Sequence, residues 1–225
     1  SYFCKMIDKN IKALKDFIKD PKHILVIGHK NPDGDAMGST LGLYHYLKKY
    51  KHETVVIAPN DYPDFLKWME GNSEVLVYNE KEDNQFKKIV ASANLVFCLD
   101  FSSLNRINQL GEHVRESEAI KVLIDHHRDP ENFAAYGIHD INSASTAQLI
   151  YKMIIEFGDS SFITKGIAEC LYAGIMTDTG SFKHPNTNKE VHEIVAALIG
   201  YGANNAEVSR LIYDTNSVDR LRFLG

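Results

Sequence analysis

The run His23-Ile-Leu-Val-Ile-Gly-His29, the turn Lys30-Asn-Pro-Asp33-Gly-Asp35 and the continuation Ala36-Met-Gly-Ser39 decide how the rest of the chain is read. The first run is continuous, apolar and rich in β-branched residues, which suits a strand buried on both faces, and Pro-Asp-Gly then turns the chain. From residue 35 to 50 the apolar positions Met37, Leu41, Tyr44 and Leu47 recur at helical spacing. Glu53-Thr-Val-Val-Ile-Ala58, stopped by Pro59, reads as the next strand. Strand, helix and strand in this order predict a parallel pair joined by a right-handed crossover.

Upstream, Ile7, Ile11, Leu14 and Ile18 predict a helix over 5–19 that Pro21 separates from the first strand. Downstream, a turn of helix is read at 65–69, strands at 74–78, 94–99 and 119–124, helices at 81–92 and 105–117, and a further strand at 134–138. The period then becomes helical throughout, over 145–157, 161–176, 188–200 and 205–213. The expectation is an α/β fold with a mostly parallel sheet sandwiched by helices, and a helical C-terminal half. No internal repeat or flexible linker divides it, so residues 1–225 are read as one domain, alternating to 140 and helical from 141.

Composition narrows the function classes. Of 225 residues, 44% are apolar and 24% charged, as in an ordinary globular protein. A net charge of −5 argues against a long nucleic-acid duplex as partner, because such binding rests on positive potential, but leaves room for a short anion in a local site. Cys4, Cys98 and Cys170 form no C-x-x-C pair, so neither a disulfide framework nor a thiolate zinc site is expected. No apolar run reaches the roughly 18 residues of a membrane span, and Lys5, Asp8, Lys9 and Lys12 stand where a signal peptide would be apolar. A cytoplasmic protein without a membrane partner is the expectation.

The chemistry collects at strand ends. His29, Asp33 and Asp35 follow the first strand, Asp100 follows Leu95–Leu99, and Asp125-His126-His127 follows Ile120–Ile124. In open parallel sheets, ligands bind beyond the carboxyl ends of strands, near the point where strand order reverses. A fourth candidate, Asp178, stands where an apolar helix opens into Thr179-Gly-Ser181. Any one of these has an ordinary explanation: a turn at Asn31-Pro-Asp-Gly34, a helix cap at Asp100, a hydrogen-bonded core histidine at His126. Three strand ends loaded with the same donor types are not explained by caps and turns. Asp33, Asp35, Asp100 and Asp178 in one cleft would repel one another unless cations were present, and two divalent ions balance four carboxylates while His29 and His126 add donors without charge.

With His29-x-x-x-Asp33-x-Asp35, Asp100, Asp125-His126-His127 and Asp178 in this order, the chain resembles the DHH phosphoesterase superfamily. The string Gly28-His-Lys-Asn-Pro-Asp-Gly-Asp-Ala-Met-Gly-Ser39 is most similar to the branch of nanoRNases and phosphoadenosine-phosphate phosphatases, and the resemblance covers nearly the whole chain. It implies one ion on His29, Asp33 and Asp100 and a second on Asp35, Asp100, His126 and Asp178, with Asp100 bridging. Manganese is the metal it implies, with magnesium as an alternative. The implied catalytic residues are Asp100, Asp125 and His127: His127 contacts the phosphate and Asp125 orients the neighbouring histidines. Arg106 is an implied substrate-phosphate ligand. Ser145-Thr146 and Thr179-Gly-Ser181 offer hydroxyl or backbone donors near the cleft, although helix capping explains them nearly as well.

The implied reaction is hydrolysis of phosphate esters in short oligonucleotides or 3′-phosphorylated nucleotides by a hydroxide readied between two ions. The alternatives are an inorganic pyrophosphatase or exopolyphosphatase and, third, a non-catalytic nucleotide sensor. The expected partner is a short oligonucleotide or nucleotide, and a homodimer is allowed. Members of this branch usually carry a second, C-terminal substrate-binding domain with a Gly-rich, His-containing motif, and no such motif occurs before Gly225.

Overall fold

The structure is a computed structural model and describes residues 11–214. Six strands form one sheet: β1 (His23–Ile27), β2 (Glu53–Ala58), β3 (Val75–Val77), β4 (Leu95–Leu99), β5 (Ile120–Asp125) and β6 (Tyr136–His139), in the order β3-β2-β1-β4-β5-β6. Every pairing is parallel. Side chains alternate across β1, so that Ile24 and Val26 enter one apolar core and Leu25 and Ile27 the other. That two-sided burial is why the strand reads as an unbroken apolar run.

The chain builds outward from β1 through β2 to β3, then crosses back to lay β4, β5 and β6 on the other side. The strand order therefore reverses between β1 and β4, where the diverging connections leave a crevice beyond the strands' carboxyl ends. One face carries α3 (Asp83–Ser92) and α4 (Gln109–Glu116), whose Phe86, Val90, Leu110 and Val114 join Leu25, Val96 and Leu123. The other carries α2 (Gly34–Lys48) and α5 (Thr146–Glu156) against the strands, with α6 (Lys165–Asp178) laid on α2 and α5 and α7 (Lys189–Gly200) on α6, all sharing one core with Val26, Phe97 and Ile124. The expected α/β sandwich with a helical second half is the observed fold.

Boundaries differ where caps and turns decide them. The helix read over 105–117 starts as a 3-10 turn at Leu104–Ile107 and restarts as α4 after Asn108, whose φ of 52° interrupts it. The 161–176 helix begins only at Lys165, where the Thr164 side chain accepts from Ile167 N, and extends to Asp178. The last strand lies over 136–139 rather than 134–138. The 205–213 helix is a short α8 (Asn205–Ser209) followed by a π-helical turn at Arg210–Asp214. The helix read over 5–19 is seen as α1 across residues 11–17, and its first part lies outside the described residues.

The contact that positions the crevice is between α2 and α6. Gly34, Gly38 and Gly42 fall on one face of α2 at four-residue intervals. A β-carbon at Gly38 would stand 3.0 Å from Gly174 N and closer still to the Cys170 carbonyl oxygen, and one at Gly42 would stand 2.8 Å from Leu171 Cδ2. Gly174 answers from α6, where a β-carbon would meet Ala147 Cβ at 2.7 Å and Asp35 Oδ1 at 2.8 Å. Without side chains between them the two helices touch backbone to backbone, and the last turn of α6 reaches the first turn of α2.

Candidate metal centre

Just beyond β1, His29 turns its ring back on the chain: Nδ1 lies 2.7 Å from the Lys30 carbonyl oxygen. We assign the Nδ1–H as donor there, which leaves Nε2 facing Asp33 Oδ2 and Asp100 Oδ2, each at 3.5 Å. Asp33 has a second task as the N-cap of α2, its Oδ1 accepting from Asp35 N and Ala36 N at 3.0 Å. Asp35 is fully buried, and the N-terminus of α5 donates to it: Thr146 N to Oδ2 at 2.6 Å and Ala147 N to Oδ1 at 2.9 Å. A helix start is a ready-made anion site, so this burial is compensated.

Asp100 leaves β4 in the left-handed region, with φ 63°, while its N–H donates to the Ile124 carbonyl of β5 at 3.0 Å. That conformation costs a non-glycine residue about 1–2 kcal/mol and is sustained by the packing around it. The result aims one carboxylate two ways. Oδ2 faces His29, whereas Oδ1 accepts from Thr146 Oγ1 at 2.9 Å and stands 3.5 Å from His126 Nε2. His126 is set by its Nδ1, 3.3 Å from the Ser143 carbonyl, and its Nε2 is 3.2 Å from Asp178 Oδ2 and 3.9 Å from Asp35 Oδ2. Asp125 is buried and accepts from Nδ1 of the half-exposed His127 ring at 2.8 Å, and the same Nδ1 stands 3.8 Å from Asp100 Oδ1.

Each candidate from three strand ends and α6 therefore arrives in one place. Donor atoms lie within 4.8 Å of one another in three groups: His29, Asp33 and Asp100; Asp35, His126 and Asp178; and Asp100, His126 and His127. Arg106 is beside the cluster through its backbone, since its carbonyl accepts from Lys30 N at 2.9 Å, and its side chain is exposed. Thr179 is a helix-end residue instead: its hydroxyl donates to the Ile175 and Met176 carbonyls and accepts from Phe182 N. Two contributors have no signal in the sequence. Ser143 supplies the carbonyl behind His126, and Asn60 pins Asn31 in the loop after His29.

Electrostatics tests whether cations fit. Burial, then the charges of Asp100 and Asp178, drive the Asp35 carboxyl well above its ordinary range, and burial raises Asp178 as well. Burial also opposes ionisation of Asp100, but the imidazoles of His126 and His29 outweigh it and hold that carboxyl low. Conversely, burial works against charged His29 and His126, yet Asp100 with Asp33 lifts His29 to about 10, and Asp100 with Asp178 lifts His126 to about 11. Protonated imidazoles and a protonated aspartate are how a metal-free protein tolerates so many carboxylates. His126 Nε2 is moreover buried without a directed hydrogen bond, although three carboxylates surround it. A buried ring nitrogen aimed into a carboxylate cluster, once it gives up its proton, suits a divalent cation bound by oxygen and imidazole.

A parallel α/β sheet with an aspartate–histidine cluster at its switch point defines a class of metal-site proteins, and within it the match is specific. Residues 23–175 fit the DHH family, N-terminal domain, and the chain belongs to the DHH family. It is 35% identical over 200 residues to the bifunctional oligoribonuclease and PAP phosphatase NrnA of Thermus thermophilus, covering 89% of this chain and 54% of that protein. To a Streptococcus thermophilus protein named "Probable manganese-dependent inorganic pyrophosphatase" it is 30% identical over 205 residues, 86% of this chain and 61% of the other. A crystal structure of an exopolyphosphatase-related protein from Bacteroides fragilis superposes with a TM-score of 0.92 at 38% identity, over 97% of this chain and 64% of that one. The chain thus spans little more than half the length of the curated relatives it matches.

Proposed function

We propose that this chain carries the metal centre of a hydrolase that cleaves phosphate esters in short oligonucleotides or 3′-phosphorylated nucleotides. The observation that carries it is Asp100, whose two oxygens face two separate donor groups, one around His29 and one around His126. His29, Asp33 and Asp100 would hold one divalent ion, and Asp35, Asp100, His126 and Asp178 a second. Manganese is the assigned metal, which agrees with the oxygen-rich donor set and with the name of the pyrophosphatase relative. When bound, such ions supply Lewis acidity toward phosphoryl oxygens and activate water for attack.

The chain's own residues do the rest. Asp125 holds the Nδ1–H of His127, which fixes the ring's orientation and raises its pKa. The ring can then donate from Nε2 to a phosphoryl oxygen as negative charge develops there. Thr146 and Ala147 keep Asp35 in place from behind, so its carboxylate need not reorganise during turnover. Arg106, exposed beside the His29 loop, suits a second anionic group of the substrate. The proposed compartment is the cytoplasm, in keeping with the free, buried Cys98 and Cys170. A homodimer is compatible with the exposed Leu76 and Val77 on the edge strand β3.

A pyrophosphatase is the second reading, favoured by the 30% identity to that relative. A panel of a ribodinucleotide, adenosine 3′,5′-bisphosphate and inorganic pyrophosphate, assayed with manganese, separates the two. Mononucleotide or 3′-phosphate release is expected; turnover of pyrophosphate alone would overturn the proposal.

A further inference from the structure

Asn60 follows β2, the strand beside β1 that contributes none of the candidate ligands. Its Oδ1 accepts from Asn31 N at 2.7 Å, and its Nδ2 donates to Asn31 Oδ1 at 3.1 Å and to the Asp61 carbonyl at 2.6 Å. Asn31 N belongs to the Lys30–Asn31 peptide, and the carbonyl of that same peptide is the acceptor for His29 Nδ1 at 2.7 Å. A peptide group is planar and rigid, so fixing its N–H fixes the direction of its C=O. One plane thus has Asn60 on one edge and the His29 ring on the other.

Resting on the metal-site reading above, we infer that Asn60 is a positioning residue for His29, acting through the Lys30–Asn31 peptide. Three further features support it. Asn31 has φ 55°, in the sparsely populated left-handed region, so the peptide plane entering it is held by bonds outside the turn's own backbone preference. The preceding amide is fixed separately, Lys30 N donating to the Arg106 carbonyl at 2.9 Å, which leaves rotation of the next plane as the remaining freedom. Finally, a hydrogen bond to a peptide N–H strengthens its carbonyl as an acceptor, so Asn60 also tightens the bond that keeps His29 Nε2 free for a ligand role.

The test compares Asn60→Ala, Asn60→Asp and Asn31→Gly with the wild-type chain. Manganese titration followed by electron paramagnetic resonance resolves the affinities of the sites. In magnesium-loaded protein, the downfield imidazole Nδ1–H resonance of His29, assigned by its loss in His29→Ala, reports the bond to the Lys30 carbonyl. Asn60→Ala is expected to weaken one class of manganese site by on the order of 10-fold, the scale seen when a ligand's supporting hydrogen bond is removed. It should leave the other class within about twofold and abolish the protected resonance. Asn60→Asp keeps an acceptor for Asn31 N, and Asn31→Gly keeps both that bond and the backbone conformation, so both should retain the resonance.

Asn60→Ala with wild-type affinities and an intact His29 resonance overturns the inference. So does equal weakening of both site classes together with a lowered melting temperature, which would mark a general structural role. If the wild-type chain takes up no manganese, the metal-site proposal falls and this assignment with it.

Discussion

Gly38→Ala adds one methyl group where α2 and α6 meet backbone to backbone. The new carbon would lie 3.0 Å from Gly174 N and 3.2 Å from Gly174 Cα, against an ordinary contact of at least 3.4 Å, and nearer still to the Cys170 carbonyl. None of these atoms belongs to a flexible side chain, so α6 must retreat by about half an ångström or more. Overpacking of this kind costs about 1–3 kcal/mol, which for a chain of this size lowers the melting temperature by roughly 2–12 °C. The site suffers separately. Asp178 rides on the same helix one turn beyond Gly174, with Oδ2 only 3.2 Å from His126 Nε2. Functional constellations tolerate displacements of about 0.5 Å, so manganese affinity is expected to fall about 10-fold or more at the group containing Asp35, His126 and Asp178. Calorimetric melting with and without manganese, together with metal titration, measures both effects. Gly200→Ala is the control, because a β-carbon there meets nothing within 4 Å, and relief of unfolded-state entropy should raise stability by about 0.4–1 kcal/mol. A Gly38→Ala protein that melts with the wild type and binds manganese as tightly would refute the argument that the glycine face sets the position of α6.

Asp100→Ala should abolish hydrolysis and weaken both donor groups at once, since each uses one oxygen of that carboxylate; unchanged metal stoichiometry would contradict a bridging role. Thr146→Val removes the hydroxyl bonded to Asp100 but keeps the backbone donor to Asp35. Its expected signature is a 10- to 100-fold loss of metal affinity, restored by Thr146→Ser, and equal behaviour of the two variants would refute it. In the metal-free protein His29 and His126 titrate at about 10 and 11, above the ordinary 6.5. Their charge therefore stabilises that form fully below about pH 6.5, and the effect is lost as pH rises through about 10 for His29 and about 11 for His126. Metal uptake at pH 7 must expel those protons, so calorimetric binding heats should scale with buffer ionisation enthalpy, and buffer-independent heats would count against it.

The sheet was legible because β1, β4 and β5 are buried on both faces and so write themselves as apolar runs. The candidate ligands were legible for a related reason: a carboxylate or imidazole just past such a run has few structural uses, and several strands repeat it. Other features depend on partners distant in sequence. Nothing near Asp100 announces its left-handed backbone, which the Ile124 carbonyl and surrounding packing sustain. Gly34, Gly38 and Gly42 look like helix-weakening residues until α6 is laid against them. Asn60 looks like a turn former after Pro59, and only the adjacency of β1 and β2 brings it to Asn31. Helix starts shifted because single caps and one positive φ, at Thr164 and Asn108, decide them.

The direct meeting of α2 and α6 also bears on how the molecule matures. Asp35 and Asp178 sit at facing helix ends although most of the chain separates them, so their pocket exists only once that late helix has docked. An ion seated between them would act as a rivet, and its binding energy would hold the docked arrangement by about 2.7 kcal/mol at a hundred times its dissociation constant. Cation capture would then favour the docked pair of helices over any partly opened one, adding to the apolar packing that already joins α2 and α6.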